Sequence, residues 1–212
     1  MTKILLINGS PLKKKMKSNT RTLLQEVANG VNEIGIASCE LIDLVDFSIQ
    51  QCTGCAACVK GHCPLSENDD MPALEKKLQN ADAIVLGSPS YWAGPSGILK
   101  NFMDRSRPLK MPESKLTNKI ASGVATAGLR VGGQEHVLSS IIQWALAHGM
   151  IVAGACDDPY RTSPFPLATI SYETPEGKHQ FRSVREDKMA LADARALGKR
   201  IAILAEQMTS LN

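Results

Sequence analysis

The sequence has few aromatic residues and no long apolar run. Phe, Trp and Tyr together make up 4% of the 212 residues. No apolar stretch approaches the roughly 18 residues that a membrane-spanning helix needs. The apolar run at residues 4–7 is too short for a secretory signal and is not followed by a small-residue cleavage site. We therefore expect no membrane association and a cytoplasmic location.

Charge of one sign is also scarce. The 24 Lys and Arg residues against 21 Asp and Glu leave a net charge of +3, which is too small and too dispersed to indicate nucleic-acid binding. Hydrophobic residues at 43% and charged residues at 21% exclude a disordered or fibrous chain. The length predicts a single domain over residues 1–212.

Familiar catalytic and nucleotide motifs are missing. There is no GxxxxGK[ST] sequence for a nucleoside triphosphate and no GxGxxG sequence for a dinucleotide. Neither a Ser-His-Asp set nor a pair of carboxylates with a clear role can be found. We therefore predict no catalytic side chain, and expect a bound cofactor to supply the chemistry.

What is present is an alternation of short buried strands and amphipathic helices. Strands are predicted at residues 3–7, 39–44, 81–87, 119–125 and 150–155, with helical apolar stripes between and after them. This order favours a parallel sheet with helices on both faces. Two segments interrupt it: a Cys-rich loop at 47–71 and a Pro-rich insertion at 157–183, which could build an oligomer contact or cover a ligand.

The loop after the first strand is rich in hydroxyl and amide groups. Ser10, Ser18, Asn19 and Thr20 lie between that strand and the first helix, where hydroxyls and free N–H groups can hold a phosphate. A helix cap at Ser18 or Asn19 would explain these residues equally well. The basic run at 13–17 could attract phosphate or an anionic donor, but we favour a solvated tip.

Two further loops follow later strands. The loop at residues 87–96 contains two glycines, two prolines and the adjacent aromatic residues Tyr91 and Trp92, which offer planar faces to an aromatic ligand or, alternatively, pack in the core. The loop that begins at Thr126 is rich in small residues, which would let a flat ligand lie against the backbone.

Four cysteines form the pattern C-x2-C-x2-C-x4-C-P. Cys52, Cys55, Cys58 and Cys63 fall within twelve residues, close to the spacing that ferredoxins use for iron–sulfur clusters. The pattern favours a [4Fe-4S] cluster. Structural zinc, held by the four cysteines or by three of them with His62, is the alternative, and free thiols come last.

The segments NGSP…SNT, GSPSYWAGPSGILKNFMDR and TAG…GGQE, in this order, resemble the flavodoxin-like NADPH-dependent FMN reductase superfamily over about residues 1–155 and the last helix. The resemblance implies an α/β, flavodoxin-like three-layer sandwich. Its parallel sheet would have five strands in the order 2-1-3-4-5, with the Cys-rich loop after strand 2 and FMN at the carboxyl edge. The residues that it assigns to the FMN phosphate are Ser10, Ser18, Asn19 and Thr20; to one side of the isoalloxazine, Pro89, Ser90, Tyr91, Trp92, Ala93 and Gly94; and to its other edge, Thr126, Ala127, Gly128 and Gly133.

With the cysteine pattern added, the chain is similar to the iron–sulfur flavoprotein family, whose members combine FMN and [4Fe-4S] in homo-oligomers. The resemblance implies an oxidoreductase that forms a homodimer or homotetramer, in which the flavin nearest to a cluster could belong to a neighbouring subunit. Electrons would pass from a one-electron donor such as ferredoxin, through the cluster and FMN, to a small acceptor: quinone, oxygen or peroxide. The resemblance to the reductase superfamily also leaves NAD(P)H open as the donor, although the sequence contains no readable nicotinamide motif.

Three alternatives remain open. The first is an NAD(P)H-dependent FMN or quinone reductase whose Cys loop is zinc-bound or empty. The second is a flavin-dependent dehydrogenase of a biosynthetic acid. The third is not an enzyme but a flavin-binding, redox-sensing module.

Overall fold

The computed structural model describes residues 1–13, 18–157, 160, 163–173, 176–181 and 183–210. Four of the five residues of the basic run at 13–17, and parts of the predicted insertion at 157–183, lie outside these ranges.

The described residues form five α-helices and nine strands, in largely alternating order. The helices are α1 Asn19–Ile34, α2 Met71–Asn80, α3 Gly97–Arg105, α4 Gln134–Ala147 and α5 Lys188–Ser210. The strands are β1 Thr2–Asn8, β2 Ala37–Asp43, β3 Ala83–Tyr91, β4 Gly94–Pro95, β5 Ile120–Ala127, β6 Ile151–Val152, β7 Leu167–Thr169, β8 Ser171–Glu173 and β9 His179–Phe181. No described helix combines the length and the apolar character that crossing a bilayer requires.

The main sheet corrects the predicted strand count and order. It contains seven of the described strands, and its path is β2-β1-β3-β5-β6, with β4 on β3 and β7 on β5. The five-stranded order 2-1-3-4-5 is therefore wrong. The path skips a number because β3 folds back after two residues into the short antiparallel strand β4.

The last edge of the sheet is split between two strands. β6 pairs with the start of β5 at Ile120 and Ala121, whereas β7 pairs with its end, over residues 125–127. The chain leaves the sheet after β6 and returns at residue 167. Part of the predicted insertion at 157–183 is thus sheet, and a separate two-stranded sheet, β8-β9, follows it.

Apolar residues cover both faces of the sheet. The stripe on α1, which includes Leu24 and Val27, packs with α5 on one face, while α2, α3 and α4 contribute to the core on the other. Helices α1 and α5 approach closely through two glycines: a Cβ on Gly30 would lie 2.1 Å from the Arg195 carbonyl oxygen, and one on Gly198 would lie 2.0 Å from that of Val27. The helices thus cover both faces of the sheet, and the loops lie at its carboxyl edge.

Candidate cofactor sites

The three loops predicted to bind a flavin meet at the carboxyl edge of the sheet. They follow β1, β3 and β5, which lie side by side and run parallel, so their carboxyl ends share one edge. The first and second loops are joined by hydrogen bonds. Gly9 N donates to Gly87 O at 2.7 Å, the Ser96 hydroxyl donates to Gly9 O, and Ser96 N donates to Ser88 Oγ at 3.0 Å.

The first loop is held by a buried polar network. The Asn8 side chain accepts from Ser10 N at 3.1 Å and donates to Asp43 Oδ1 at 2.8 Å. Arg21 Nε donates to Asp43 Oδ2 at 3.0 Å. Ser18 caps α1 by accepting from Arg21 N at 3.2 Å, so the capping interpretation is confirmed for this side chain. The network fixes the strand end from which the loop departs.

Two predicted phosphate residues also make contacts within the protein. The Thr20 and Thr126 hydroxyls lie 2.8 Å apart and are buried, which joins the start of α1 to the third loop. Asn19 Oδ1 accepts from Val184 N at 3.0 Å and anchors the segment that precedes α5. The Asn19 amide oxygen is therefore already used inside the chain.

The second loop is a tight β-hairpin between β3 and β4. Its two central residues, Trp92 and Ala93, have φ values of +50° and +60°, as a type I′ turn requires. Non-glycine residues in this conformation cost of order 1 kcal/mol each and concentrate at functional sites. The Trp92 side chain is fully exposed and Tyr91 is 47% exposed. The alternative that these rings pack in the core is wrong.

The third loop touches the hairpin directly. Ser90 Oγ donates to Gly132 O at 2.5 Å. Gly133, with φ +84°, precedes α4, and a Cβ there would lie 2.4 Å from Ala93 Cα. Only glycine tolerates both the left-handed backbone and this approach. The structure thus brings the three loops together, and they carry both buried hydroxyls and exposed aromatic rings, groups that suit a phosphorylated planar ligand.

The four cysteines lie on the loop between β2 and α2. Cys52 and Cys55 are exposed, Cys58 is half-buried and Cys63 is buried. Within the described ranges, no three His, Cys, Asp or Glu side chains are gathered as a metal would need, so the structure does not bring the four predicted ligands together. The donor chemistry nevertheless fits, because a thiolate is the metal-binding form of cysteine. The pKa of Cys55 is held below its ordinary value by hydrogen bonds from the backbone N–H of Ala57, the Thr53 hydroxyl and its own backbone N–H.

The base of this loop is closed by hydrogen bonds. Ser48 N donates to Asp70 Oδ2 at 2.7 Å, and Gln50 N donates to Asp69 Oδ2 at 3.0 Å. Asp70 N in turn donates to Ser48 O at 2.9 Å. Residues 48–50 and 68–70 are therefore fastened to each other, and the cysteine-bearing part of the loop projects from that base.

Helix α3 holds the loop through two side chains one turn apart. The Asn101 amide accepts from Cys52 N at 3.2 Å and donates to Ile49 O at 3.1 Å. The Arg105 guanidinium donates to Gln50 O at 2.7 Å and to the Asp69 carboxylate. Burial disfavours the charged form of Asp69, but the Arg105 guanidinium and backbone amides outweigh it and hold its pKa below its usual range.

Sequence reasoning missed Asn101, Arg105 and Asp69. The signal available was the i, i+4 spacing of Asn101 and Arg105 on a helix that directly follows the aromatic loop. Nothing local indicates that these two side chains reach residues about fifty positions earlier in the chain.

Comparison with known proteins agrees with this geometry. The family model for NADPH-dependent FMN reductase matches residues 2–156. An iron–sulfur flavoprotein of Archaeoglobus fulgidus is 41% identical over 209 residues, which cover 99% of this chain and 98% of that protein. An NAD(P)H dehydrogenase (quinone) of Trichlorobacter lovleyi is 28% identical over 205 residues, with 92% and 95% covered.

The fold is also found among solved structures. The flavodoxin, WrbA-like protein from Agrobacterium tumefaciens superimposes with a TM-score of 0.56 over 97% of this chain and 98% of that one, at 20% identity. At that identity the likeness shows the α/β flavodoxin-like fold alone.

Proposed function

Because the chain belongs to the NADPH-dependent FMN reductase family and, within it, to the iron–sulfur flavoproteins, we propose that it passes electrons from a one-electron donor such as ferredoxin to a small acceptor, by way of a [4Fe-4S] cluster and FMN. It is an FMN-dependent oxidoreductase. The finer proposal adds the cluster, the donor and the acceptor, for which quinone, oxygen and peroxide are the candidates.

The observation that carries the proposal is the path of α3. This helix starts at Gly97, next to the hairpin loop, and ends at Arg105 on the base of the Cys loop. Nine residues at about 1.5 Å each span roughly 13 Å. A concavity of about 500 Å³ lies beside it, and both Cys52 and Gly97 line it. Helix α3 therefore runs from the hairpin loop to the base of the loop that carries the thiols.

The roles of the residues follow from their positions. Ser10, Ser18 and Thr20 would offer hydroxyls to the FMN phosphate at the start of α1. Tyr91 and Trp92 would cover the ring, and the small residues Ala127, Gly128 and Gly133 would let its far edge lie against the backbone. FMN exchanges one or two electrons and the cluster exchanges one, so together they would connect one-electron and two-electron partners.

The cysteines would hold the cluster. Four thiols within twelve residues match the donor set, and the chain turns between them at Gly54, Ala56 and Gly61, which have φ values of +69°, +59° and +83°. Cys63 is already buried. The fold would fix the position of the buried thiol, and the exposed thiols would become ordered when they bind the cluster.

Anaerobic purification tests the proposal. We expect about four iron and four sulfide per chain, as a [4Fe-4S] cluster contains, together with one FMN. Ferredoxin should reduce the protein faster than NADPH does. Cys58→Ser should lose iron and sulfide but keep FMN. Cys156→Ser removes an exposed cysteine outside the motif and should keep both. Protein with FMN but without iron and sulfide would contradict the cluster assignment.

One observation favours a second candidate, an NAD(P)H-dependent FMN or quinone reductase whose Cys loop holds zinc or nothing. A relative that is 28% identical carries the name NAD(P)H dehydrogenase (quinone). Stoichiometric zinc, together with reduction by NADPH that ferredoxin does not exceed, would decide for this candidate.

We further propose that the chain assembles as a homodimer or homotetramer. The exposed Trp92, Leu129 and Val131 place apolar side chains on the two loops that meet at the proposed flavin edge, a surface that a neighbouring subunit could cover. Light scattering on the FMN-loaded protein tests this, and a monomeric mass would contradict it.

A further inference from the structure

Arg105 is a charged residue that is almost completely buried, and its hydrogen-bond partners satisfy only some of its donors. Its side chain is 1% exposed and is among the largest that the described residues enclose completely. One terminal nitrogen donates to Gln50 O and to Asp69, and the other donates to Ser66 Oγ at 3.2 Å. The guanidinium therefore binds both ends of the Cys-rich loop at once.

One donor of this guanidinium is left over. Arg105 Nε is buried and has no hydrogen-bond partner among the residues that the structure describes. Leaving a buried, charged donor without a partner is unfavourable, so this N–H is available to an acceptor beside it.

Cys63 is the adjacent candidate for that partner. It is buried, and it precedes the helical turn at Pro64–Asn68 that carries Ser66. Ser66 N donates to Cys63 O at 3.0 Å, and the Ser66 hydroxyl accepts from the Arg105 guanidinium at 3.2 Å. The buried Cys63 and the guanidinium are thus held by the same serine, which makes Cys63 a neighbour of the unpaired Nε–H.

We infer that Arg105 is the positioning residue of the cluster: it donates a charge-assisted hydrogen bond to the Cys63 sulfur and raises the reduction potential of the [4Fe-4S] centre. The inference rests on the proposed function, because it requires a cluster on the Cys loop. It goes beyond that function by naming a residue outside the cysteine motif that sets how readily the cluster accepts an electron.

The physical reason is charge. When dithionite or ferredoxin supplies one electron, the cluster gains one negative charge and no bond in the protein is made or broken. A buried cation and an N–H donor at a ligand sulfur stabilise the added charge, and hydrogen bonds to sulfur are among the established determinants of cluster potentials. Asp69 holds the guanidinium in place and offsets part of its charge, so we expect a moderate effect.

The test compares Arg105→Met and Arg105→Lys with Arg195→Met. Arg195 is a partly exposed arginine on α5 that pairs with Glu26 and Glu33, so its replacement controls for the loss of one positive charge. The cluster midpoint potential is measured by anaerobic redox titration with EPR detection. Iron and sulfide retention during dialysis against a chelator is measured in parallel.

For Arg105→Met we expect the ratio of reduced to oxidised cluster at a fixed solution potential to fall about tenfold, which corresponds to about 59 mV for one electron. Arg105→Lys keeps the charge without the planar fork, so it should shift the potential less but lose iron faster than wild type. Arg195→Met should match wild type in both readouts.

Three outcomes would overturn the inference. One is an Arg105→Met protein with a full cluster and an unchanged midpoint. Another, which applies if Arg105→Met does not fold, is an Arg105→Lys protein that retains iron and its potential as wild type does. The third, wild-type protein without iron and sulfide, overturns the proposed function as well, and so separates the two failures.

Discussion

The proposed flavin edge, where the loops after β1, β3 and β5 meet, and the Cys-rich loop differ in how completely the polypeptide assembles them. At the flavin edge, three loops contact one another through Gly9, Ser90, Ser96 and Gly133. In the Cys-rich loop only the base is closed, at residues 48–50 and 68–70, and the thiols are not gathered among the described residues.

The difference has a physical cause. Loops that follow adjacent parallel strands are brought together by the sheet itself, so a site built from them exists before any ligand binds. Thiolates repel one another and gain little by approaching without a metal, so a thiolate site is completed by the metal that it binds. A chain that serves both cofactors would therefore offer FMN a preformed site and offer the cluster a prepared base.

The largest effect is expected from a substitution that disrupts the base of the Cys loop. Asp69→Ala would leave the buried Arg105 without its counter-ion, which should lower the free energy of unfolding by about 3 kcal/mol, as measured by urea denaturation. It should also lower iron content while FMN binding stays unchanged. Asp104→Ala, which removes an exposed pair with Lys100 on the same helix, should change stability by less than about 0.5 kcal/mol. Equal losses in the two variants would contradict the role of the buried pair.

Acid should lower the stability of the protein through a buried histidine that packs at the end of α3, and this histidine belongs to neither proposed cofactor site. His148 is buried beside Trp144 and 3.0 Å from the Ser106 hydroxyl at the end of α3. Burial, helped by Lys110, lowers its pKa from 6.5 to about 4. The unfolded chain therefore binds the proton first, and stability is lost as the pH falls from 6.5 towards 4.

At pH 5 this linkage amounts to about 2 kcal/mol relative to pH 8. The free energy of unfolding should show that loss in wild type and in His136→Gln, which changes an exposed histidine on α4. His148→Gln should show a smaller loss. The interpretation fails if His148→Gln retains the full acid sensitivity.

A change at the third loop should affect FMN and spare iron. Gly133→Ala places a Cβ against Ala93 at a left-handed position, which should push the third loop away from the hairpin. We expect the Kd for FMN to rise about tenfold, or about 1.4 kcal/mol, by flavin fluorescence titration. Gly97→Ala is the matched control, since its Cβ would meet no atom within 4 Å. An unchanged Kd for Gly133→Ala would show that the loop contact does not shape the site.

The smallest expected effect separates strain from binding. Trp92→Asn puts a residue that tolerates the left-handed region at a hairpin position with φ +50°. Stability should rise by about 0.5 kcal/mol, while FMN affinity falls severalfold because an exposed ring is lost. If FMN affinity stays the same, the ring does not cover the flavin and its exposure needs another explanation.

The meeting of the three loops at one sheet edge could be predicted from the sequence, whereas the support of the Cys loop could not. Strand and helix periodicity together with the order of motifs led to the shared edge, because parallel strands and short loops leave few arrangements. The split of the last edge strand into β6 and β7 was missed, since strands of two and three residues carry no periodicity. The hold of Asn101 and Arg105 on the Cys loop was missed because it joins distant parts of the chain.

Residue order alone determined the alternation that makes an α/β sheet, the loops after β1, β3 and β5, and the four thiols within twelve residues, because each of these depends on local spacing. Only the tertiary structure decided which loops touch, that Trp92 faces solvent, and that a buried guanidinium fastens both ends of the Cys-rich loop. These contacts join residues that are far apart in the sequence and become neighbours only when the chain folds. Burial and hydrogen bonding depend on distance in space, so local spacing in the sequence does not reveal them.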